Sequence, residues 1–180
     1  MITTGFEPGE DDPAKYQSRR DGTLTYGGKM ANSFTQIYIH YVFIAKSRME
    51  YFKPEYKKKI YPYIVGIAKE HHCYIHSING GIDHIHILLS LAADKSIAQI
   101  AQLLKGNCSK HINDEKLYPF RFEWQAGYGA FSVSQSNLDR VKQYIDNQET
   151  HHQKVKLREE YLSLLNKYLI KYDEKYLPEM

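Results

Sequence analysis

An α+β domain of βαββαβ order is the fold that the sequence predicts, on three observations. Short runs rich in Ile, Val, Tyr and Phe alternate with stretches whose apolar residues recur at three- and four-residue steps. Two of those runs are separated only by Asn79-Gly80-Gly81, which suits a hairpin and not a crossover. No apolar run reaches the roughly 18 residues that a bilayer requires, so no membrane span organises the chain.

The elements follow in order. Phe34 to Lys46, FTQIYIHYVFIAK, has the length and β-branching of a central strand. Pro54 stands where a first-turn proline belongs, and Ile60, Tyr63, Ile64, Ile67 and Ala68 mark one helix face, with the lysines opposite. Cys73 to Gly80 returns as a strand, Asn79-Gly80-Gly81 offers positive φ for the turn, and GIDHIHILLSL is the second arm of the hairpin. Ser96 then caps a helix in which Ile97, Ile100, Ala101 and Leu104 recur. Residues 118–133, YPFRFEWQAGYGAFSV, read as a bent strand or as a strand with a loop at Gly127 and Gly129. This order matches the split βαβ arrangement of ferredoxin-like folds.

Ser136 and Asp139, at capping-box spacing, open a further helix near Asn137. KLREEYLSLLNKYLIKYDEKYL reads as a last helix and a tail. The expected organisation is a disordered, dispensable extension over residues 1–29, one domain over 30–152, and a C-terminal helix and tail over 153–180.

Composition bounds the function. A hydrophobic share of 42% with 25% charged residues belongs to an ordinary soluble domain. The opening residues lack the apolar core of a secretory signal, which leaves the cytoplasm as the expected compartment. Cys73 and Cys108 have no CxxC spacing and indicate neither a zinc knuckle nor a disulfide framework. A net charge of +3 is too mild to argue for nucleic acid by itself. Lys46, Arg48, Lys53, Lys57, Lys58 and Lys59 nevertheless crowd one stretch, against Glu50 and Glu55. Such a run is ordinarily the solvated face of a helix.

Two imidazoles inside the most apolar run need an explanation. Residues two apart in a strand share a face, so His84, His86, Leu88 and Ser90 oppose Ile85, Ile87, Leu89 and Leu91. The histidine pair can ligate one divalent ion through neutral ring nitrogens, but two donors leave it under-coordinated. With Leu138 set at zero on a helical wheel, Gln148 falls near 280° and Tyr144 near 240°, together on one edge of the apolar stripe. A glutamine oxygen completes an oxygen-tolerant site, and a tyrosine beside it can act as nucleophile. Asp83, next to the pair, is either a partner that orients an imidazole or a simple turn aspartate. Tyr128, His71, His72, His76, His151 and His152 receive no catalytic role.

DHIHILLSL and VKQYIDNQE together resemble the single-tyrosine HUH transposases of bacterial insertion sequences, the TnpA group with its IS200-like and REP-associated relatives. His84-Ile85-His86 satisfies the two-histidine motif, and Tyr144 and Gln148 match the nucleophile and the ligand four residues on. The resemblance runs from about Phe34 to about His152 and includes WQAGYGAFSVS. It implies a metal site of His84, His86 and Gln148, with Mg2+ or Mn2+ preferred over zinc because phosphate and water oxygens fill the open positions. It also implies a covalent 5'-phosphotyrosine at Tyr144, single-stranded DNA with hairpin-containing element ends as partner, and a homodimer. Lys46, Arg48, Lys105, Lys110, Arg121 and Trp124 are the expected DNA contacts. The alternatives are a binding module for single-stranded nucleic acid that needs no metal, and a metal-dependent nuclease without a covalent step.

Overall fold

The computed structural model describes residues 34–151 and 156–177. The extension expected over residues 1–29 lies outside them, as do residues 152–155 and the last three of the tail. The elements are β1 (Tyr38–Ile44), α1 (Pro54–Glu70), β2 (Tyr74–Asn79), β3 (His84–Ser90), α2 (Ile97–Asp114), β4 (Gly129–Val133), α3 (Leu138–Asp146), α4 (Gln148–His151) and α5 (Leu157–Lys167). The sheet runs β2-β3-β1-β4 with every neighbouring pair antiparallel. β1 and β2 therefore run parallel with β3 between them, which is the expected ferredoxin-like topology with helices added at the C-terminal end.

Each helix on the first face forms for a local reason. Pro54 occupies the first turn of α1, and Ile60, Ile64, Ile67 and Ala68 are its buried apolar positions. Ser96 and Gln99 close a reciprocal capping box on α2, with Gln99 N–H donating to Ser96 Oγ at 3.2 Å and Ser96 N–H to Gln99 Oε1 at 2.8 Å. Such a cap stabilises by about 1 kcal/mol. Ile100, Ala101, Leu104, Cys108 and Ile112 face inward from α2. These helices cover Ile39, Tyr41 and Phe43 of β1 and Ile85, Ile87 and Leu89 of β3.

The other face is covered too. Tyr38, Leu88 and Val133 pack with Ile145 of α3, and Val42, Ile44 and Phe131 pack with Leu157 and Leu165 of α5. β3 is thus buried on both sides, and its histidines have no wet face.

Four local readings change. Lys57 does not join the solvated lysines of α1: it is buried, and its ammonium donates to Gly80 O at 2.8 Å, Asn79 Oδ1 at 3.2 Å and Glu149 Oε1 at 2.7 Å. A buried ammonium persists where its donors are met, and here the hairpin turn meets them. Among the described residues Gly127 is the glycine with positive φ, so the β2–β3 turn does not depend on left-handed backbone at Gly80 or Gly81. Gly80 is required for space instead, because a Cβ there would lie 2.2 Å from His84 O and 2.7 Å from Ile85 Cα. The Ser136–Asp139 capping box does not form; residues Gln135–Asn137 make a 3-10 turn in which Ser134 Oγ meets Ser136 Oγ and accepts from Asn137 Nδ2. Finally, only Gly129–Val133 of the aromatic segment is strand, while Trp124 makes an isolated bridge to Ala45 and Phe122 enters the core.

Candidate active site

The strand register sets the first half of the site. His84 pairs with Ile44 and His86 with Val42, so both imidazoles and His40 rise from one face of the sheet. His84 and His86 are 0% exposed. Buried imidazoles require partners, and the two have different ones. Asp83 Oδ1 lies 2.7 Å from His84 Nδ1, and Arg48 Nε donates to Asp83 Oδ2 at 2.8 Å. Burial works to raise the Asp83 pKa, but the hydrogen bonds and charges of His84 and Arg48 outweigh it and hold the carboxyl below its ordinary range. An ionised carboxylate only accepts, so the His84 proton sits on Nδ1 and Nε2 keeps its lone pair. Gly81 N–H donates to that Nε2 at 3.3 Å, in agreement.

Arg48 reaches Asp83 from a tight turn after β1 in which Ser47 and Arg48 have φ of 58° and 48°. Left-handed backbone costs a non-glycine residue about 1–2 kcal/mol. Against that cost the turn gains the partly buried Arg48–Asp83 ion pair and the Ala45 N–H to Asp83 O bond of 2.8 Å. His86 has no carboxylate on its inner nitrogen: Nδ1 lies 2.9 Å from His40 Nε2. Burial, then the neighbouring His86, lowers the His40 pKa well below its ordinary value, so that ring is neutral.

α3 and α4 supply the second half. Tyr144 and Gln148 are not on one continuous helix, because the ladder breaks at Asn147. The break has a cause on the hairpin: Asp146 O accepts from Asn79 Nδ2 at 3.0 Å, and Ser77 Oγ donates to Asp146 Oδ1 at 2.6 Å. With Lys57 to Glu149, these bonds dock the end of α3 on the β2–β3 turn of the same chain. The Tyr144 ring sits edge-on to His86 at 5.8 Å and to His40 at 6.1 Å.

One residue that the sequence reading missed joins the halves. Glu160 of α5 is buried, and its carboxylate accepts from the Tyr144 hydroxyl and, at 2.7 Å, from Gln148 Nε2. The same carboxylate lies 3.4 Å from His86 Nε2 and 3.8 Å from His84 Nε2. His84, His86 and Glu160 form a buried group able to hold a metal ion. Gln148 Oε1 is buried and has no hydrogen-bond partner among the described residues. Burial first, then the Glu160 charge and hydrogen bond, push the Tyr144 pKa far up, so the resting nucleophile candidate is a phenol. The signal for Glu160 was in the sequence: Leu157, Tyr161, Leu164 and Leu165 form an apolar stripe, and this acid borders it, one turn from Leu157 and from Leu164.

The expected DNA contacts scatter. Arg48 is held by Asp83, Lys46 pairs with Glu123 at 2.5 Å, and Lys105 donates to Gln125 O at 2.8 Å and to Gly127 O. Trp124 stacks on Phe52 and donates its indole N–H to Lys105 O. Lys110 and Arg121 line a separate groove with the exposed Phe120. The cleft that opens on Tyr144 and Glu160, about 740 Å3 in volume, carries instead Arg140 and Lys167, which sequence reasoning did not single out.

A ferredoxin-like sheet with a buried His-Ile-His pair and a tyrosine brought beside it from a following helix defines the single-tyrosine HUH transposase class. The chain belongs to the IS200-like transposase family, whose model matches residues 33–148. Its fold is similar to a candidate transposase from Deinococcus radiodurans R1, with 20% identity, a TM-score of 0.53, and coverage of 68% of this chain and 98% of that one. It is also similar to a REP-associated tyrosine transposase bound to a REP hairpin, with 11% identity, a TM-score of 0.53, and coverage of 71% and 76%. No curated protein matches the chain. The family match ends at Gln148, so Glu160 and α5 lie beyond it. No helix among the described residues is long and apolar enough to cross a membrane.

Proposed function

We propose that this transposase cuts and rejoins single-stranded DNA at the ends of an insertion sequence through a covalent 5'-phosphotyrosine on Tyr144. The observation that carries the reading is the convergence of His84, His86, Tyr144 and Gln148 on the Glu160 carboxylate. Two imidazole nitrogens, a carboxylate and a buried amide oxygen without a hydrogen bond among the described residues form a donor set that fits Mg2+ or Mn2+. His84, His86, Gln148 and Glu160 would hold the ion, which supplies charge neutralisation at the scissile phosphate.

The remaining steps belong to the side chains. Asp83 and Arg48 keep the His84 lone pair aimed into the site. Tyr144 surrenders its proton to Glu160, to which it is already hydrogen-bonded, and the phenolate attacks phosphorus in line. The P–O3' bond breaks, the 3'-oxygen takes the proton that Glu160 received, and the phosphodiester energy is kept in the tyrosine ester. Attack by a second 3'-hydroxyl reverses these events and reseals the strand without ATP.

Arg140 and Lys167 in the cleft guide the phosphates toward Tyr144, and Lys110, Arg121 and Phe120 offer a second contact by charge and stacking. Lys46 remains a peripheral contact, whereas Arg48, Lys105 and Trp124 act by supporting the site and the core. A structural neighbour is bound to a REP hairpin, and a hairpin-bearing DNA end is the substrate proposed here. The homodimer that the resemblance implies would bring two DNA ends together; it need not complete a site whose parts already meet within one chain.

The test is a denaturing gel of labelled hairpin DNA incubated with protein and Mg2+. A protein-linked DNA band that disappears in Tyr144→Phe, with cleavage reduced at least about 10^3-fold, is the expected result. Cleavage without linkage, or linkage that survives Tyr144→Phe, overturns the reading.

A further inference from the structure

His40 has no part in the steps above, yet it is the inner partner of a metal-site histidine. It comes from the middle of β1, where its neighbours on that face are Tyr38 and Val42, and it is 2% exposed. A buried imidazole in an otherwise apolar strand costs stability unless it is hydrogen-bonded, and its partner here is His86 Nδ1 at 2.9 Å.

A hydrogen bond between two imidazole nitrogens 2.9 Å apart holds one proton, so it has two arrangements. In the first, His40 Nε2–H donates to His86 Nδ1, and the His86 proton is on Nε2, 3.4 Å from Glu160 Oε1. That His86 has no lone pair to offer an ion. In the second, His86 Nδ1–H donates to His40 Nε2, the His86 Nε2 lone pair faces the site, and the His40 proton is on Nδ1. His84 has no such choice, because the Asp83 carboxylate fixes its tautomer.

We propose that His40 is a positioning residue for the metal site, donating a hydrogen bond to His86 when the site is empty and accepting one from the His86 Nδ1–H when a divalent ion is bound. The inference rests on the metal reading above. Each ring carries one proton in both states: His86 moves its proton from Nε2 to Nδ1, and His40 moves its own from Nε2 to Nδ1. No net proton is taken up or released by the pair. His40 lines the cleft beside Tyr144, which gives its ring access to the exchange. A residue at this position must therefore both donate and accept, as an amide can and a hydrocarbon cannot.

The experiment uses the full chain without DNA. Mn2+ binding is measured by the electron paramagnetic resonance of the free ion for wild type, His40→Leu and His40→Gln, with circular dichroism reporting the fold. His40→Leu should weaken binding by about 10- to 100-fold, and His40→Gln should recover most of that loss. In parallel, two-bond 1H–15N spectra of the wild-type imidazoles should move His86 and His40 from their Nε2–H to their Nδ1–H forms as Mg2+ saturates the site. Wild-type Mn2+ affinity retained in His40→Leu, or His86 and His40 tautomers that do not change with Mg2+, overturns this inference alone. A wild type that binds no Mn2+ overturns the metal reading and this inference with it. If His40→Leu fails to fold, the wild-type spectra decide.

Discussion

The two faces of one sheet differ in what their burial accomplishes. Against α1 and α2, β3 places Ile85, Ile87 and Leu89, and β1 places Ile39, Tyr41 and Phe43, a face that is almost wholly apolar. Against α3, α4 and α5 the same strands place His84, His86 and His40, and the helices answer with Tyr144, Gln148 and Glu160. The first face excludes water throughout, and on the second His84, His86 and Gln148 are as fully buried, with a cleft reaching Tyr144 and Glu160. The first converts that exclusion into stability, at about 1.5–3 kcal/mol for each fully buried aliphatic side chain. The second uses it to strengthen electrostatic interactions among groups that would be weakly coupled in water. Alternation along a seven-residue strand is enough to serve both ends.

This contrast can be broken from either side. Ile87→Ala, on the apolar face and fully buried, should cost about 2–5 kcal/mol in urea unfolding, because α1 and α2 cannot close the cavity. A loss below about 1 kcal/mol would mean that this face does not carry the fold.

Glu160→Gln probes the polar face. It removes a buried negative charge that faces two imidazoles, a phenol and an amide in the ion-free protein. Mn2+ affinity should fall about 10- to 100-fold, while the urea midpoint stays level or rises, since a buried charge carries a desolvation penalty. A midpoint that drops as far as that of Ile87→Ala would assign Glu160 to the fold rather than to the site.

Ser77→Ala is the smallest perturbation. It deletes the 2.6 Å bond that holds Asp146, and with it part of the docking of α3 on the hairpin. A stability loss of about 1 kcal/mol is expected. If docking of α3 positions the nucleophile, covalent DNA capture should slow by more than that loss implies, as read by comparing gel rates with unfolding midpoints.

The apolar face was legible in the sequence because it obeys a period. Ile60, Ile64 and Ile67 on α1, and Ile100 and Leu104 on α2, stand at helical spacing and are buried as expected. On the polar face, His84 with His86 and Tyr144 with Gln148 were legible as short motifs. What was not legible depends on the register between distant segments. Nothing local distinguishes His40 from the rest of FTQIYIHYVFIAK; its meaning appears once β1 is paired with β3 so that Val42 lies opposite His86. Lys57 reads as one more solvated lysine until the hairpin turn closes over it. Glu160 sits in a segment with no motif, and only its position at the border of an apolar stripe betrayed it.

Gly80 shows how narrow the tolerance around such a site becomes. Any side chain there would drive a carbon to 2.2 Å from the His84 carbonyl, in the turn that delivers the first histidine. Every missense codon one base away from a glycine codon encodes a residue with a β-carbon. Position 80 can therefore drift only through synonymous change, and a gene carrying any missense replacement there would encode a displaced histidine strand.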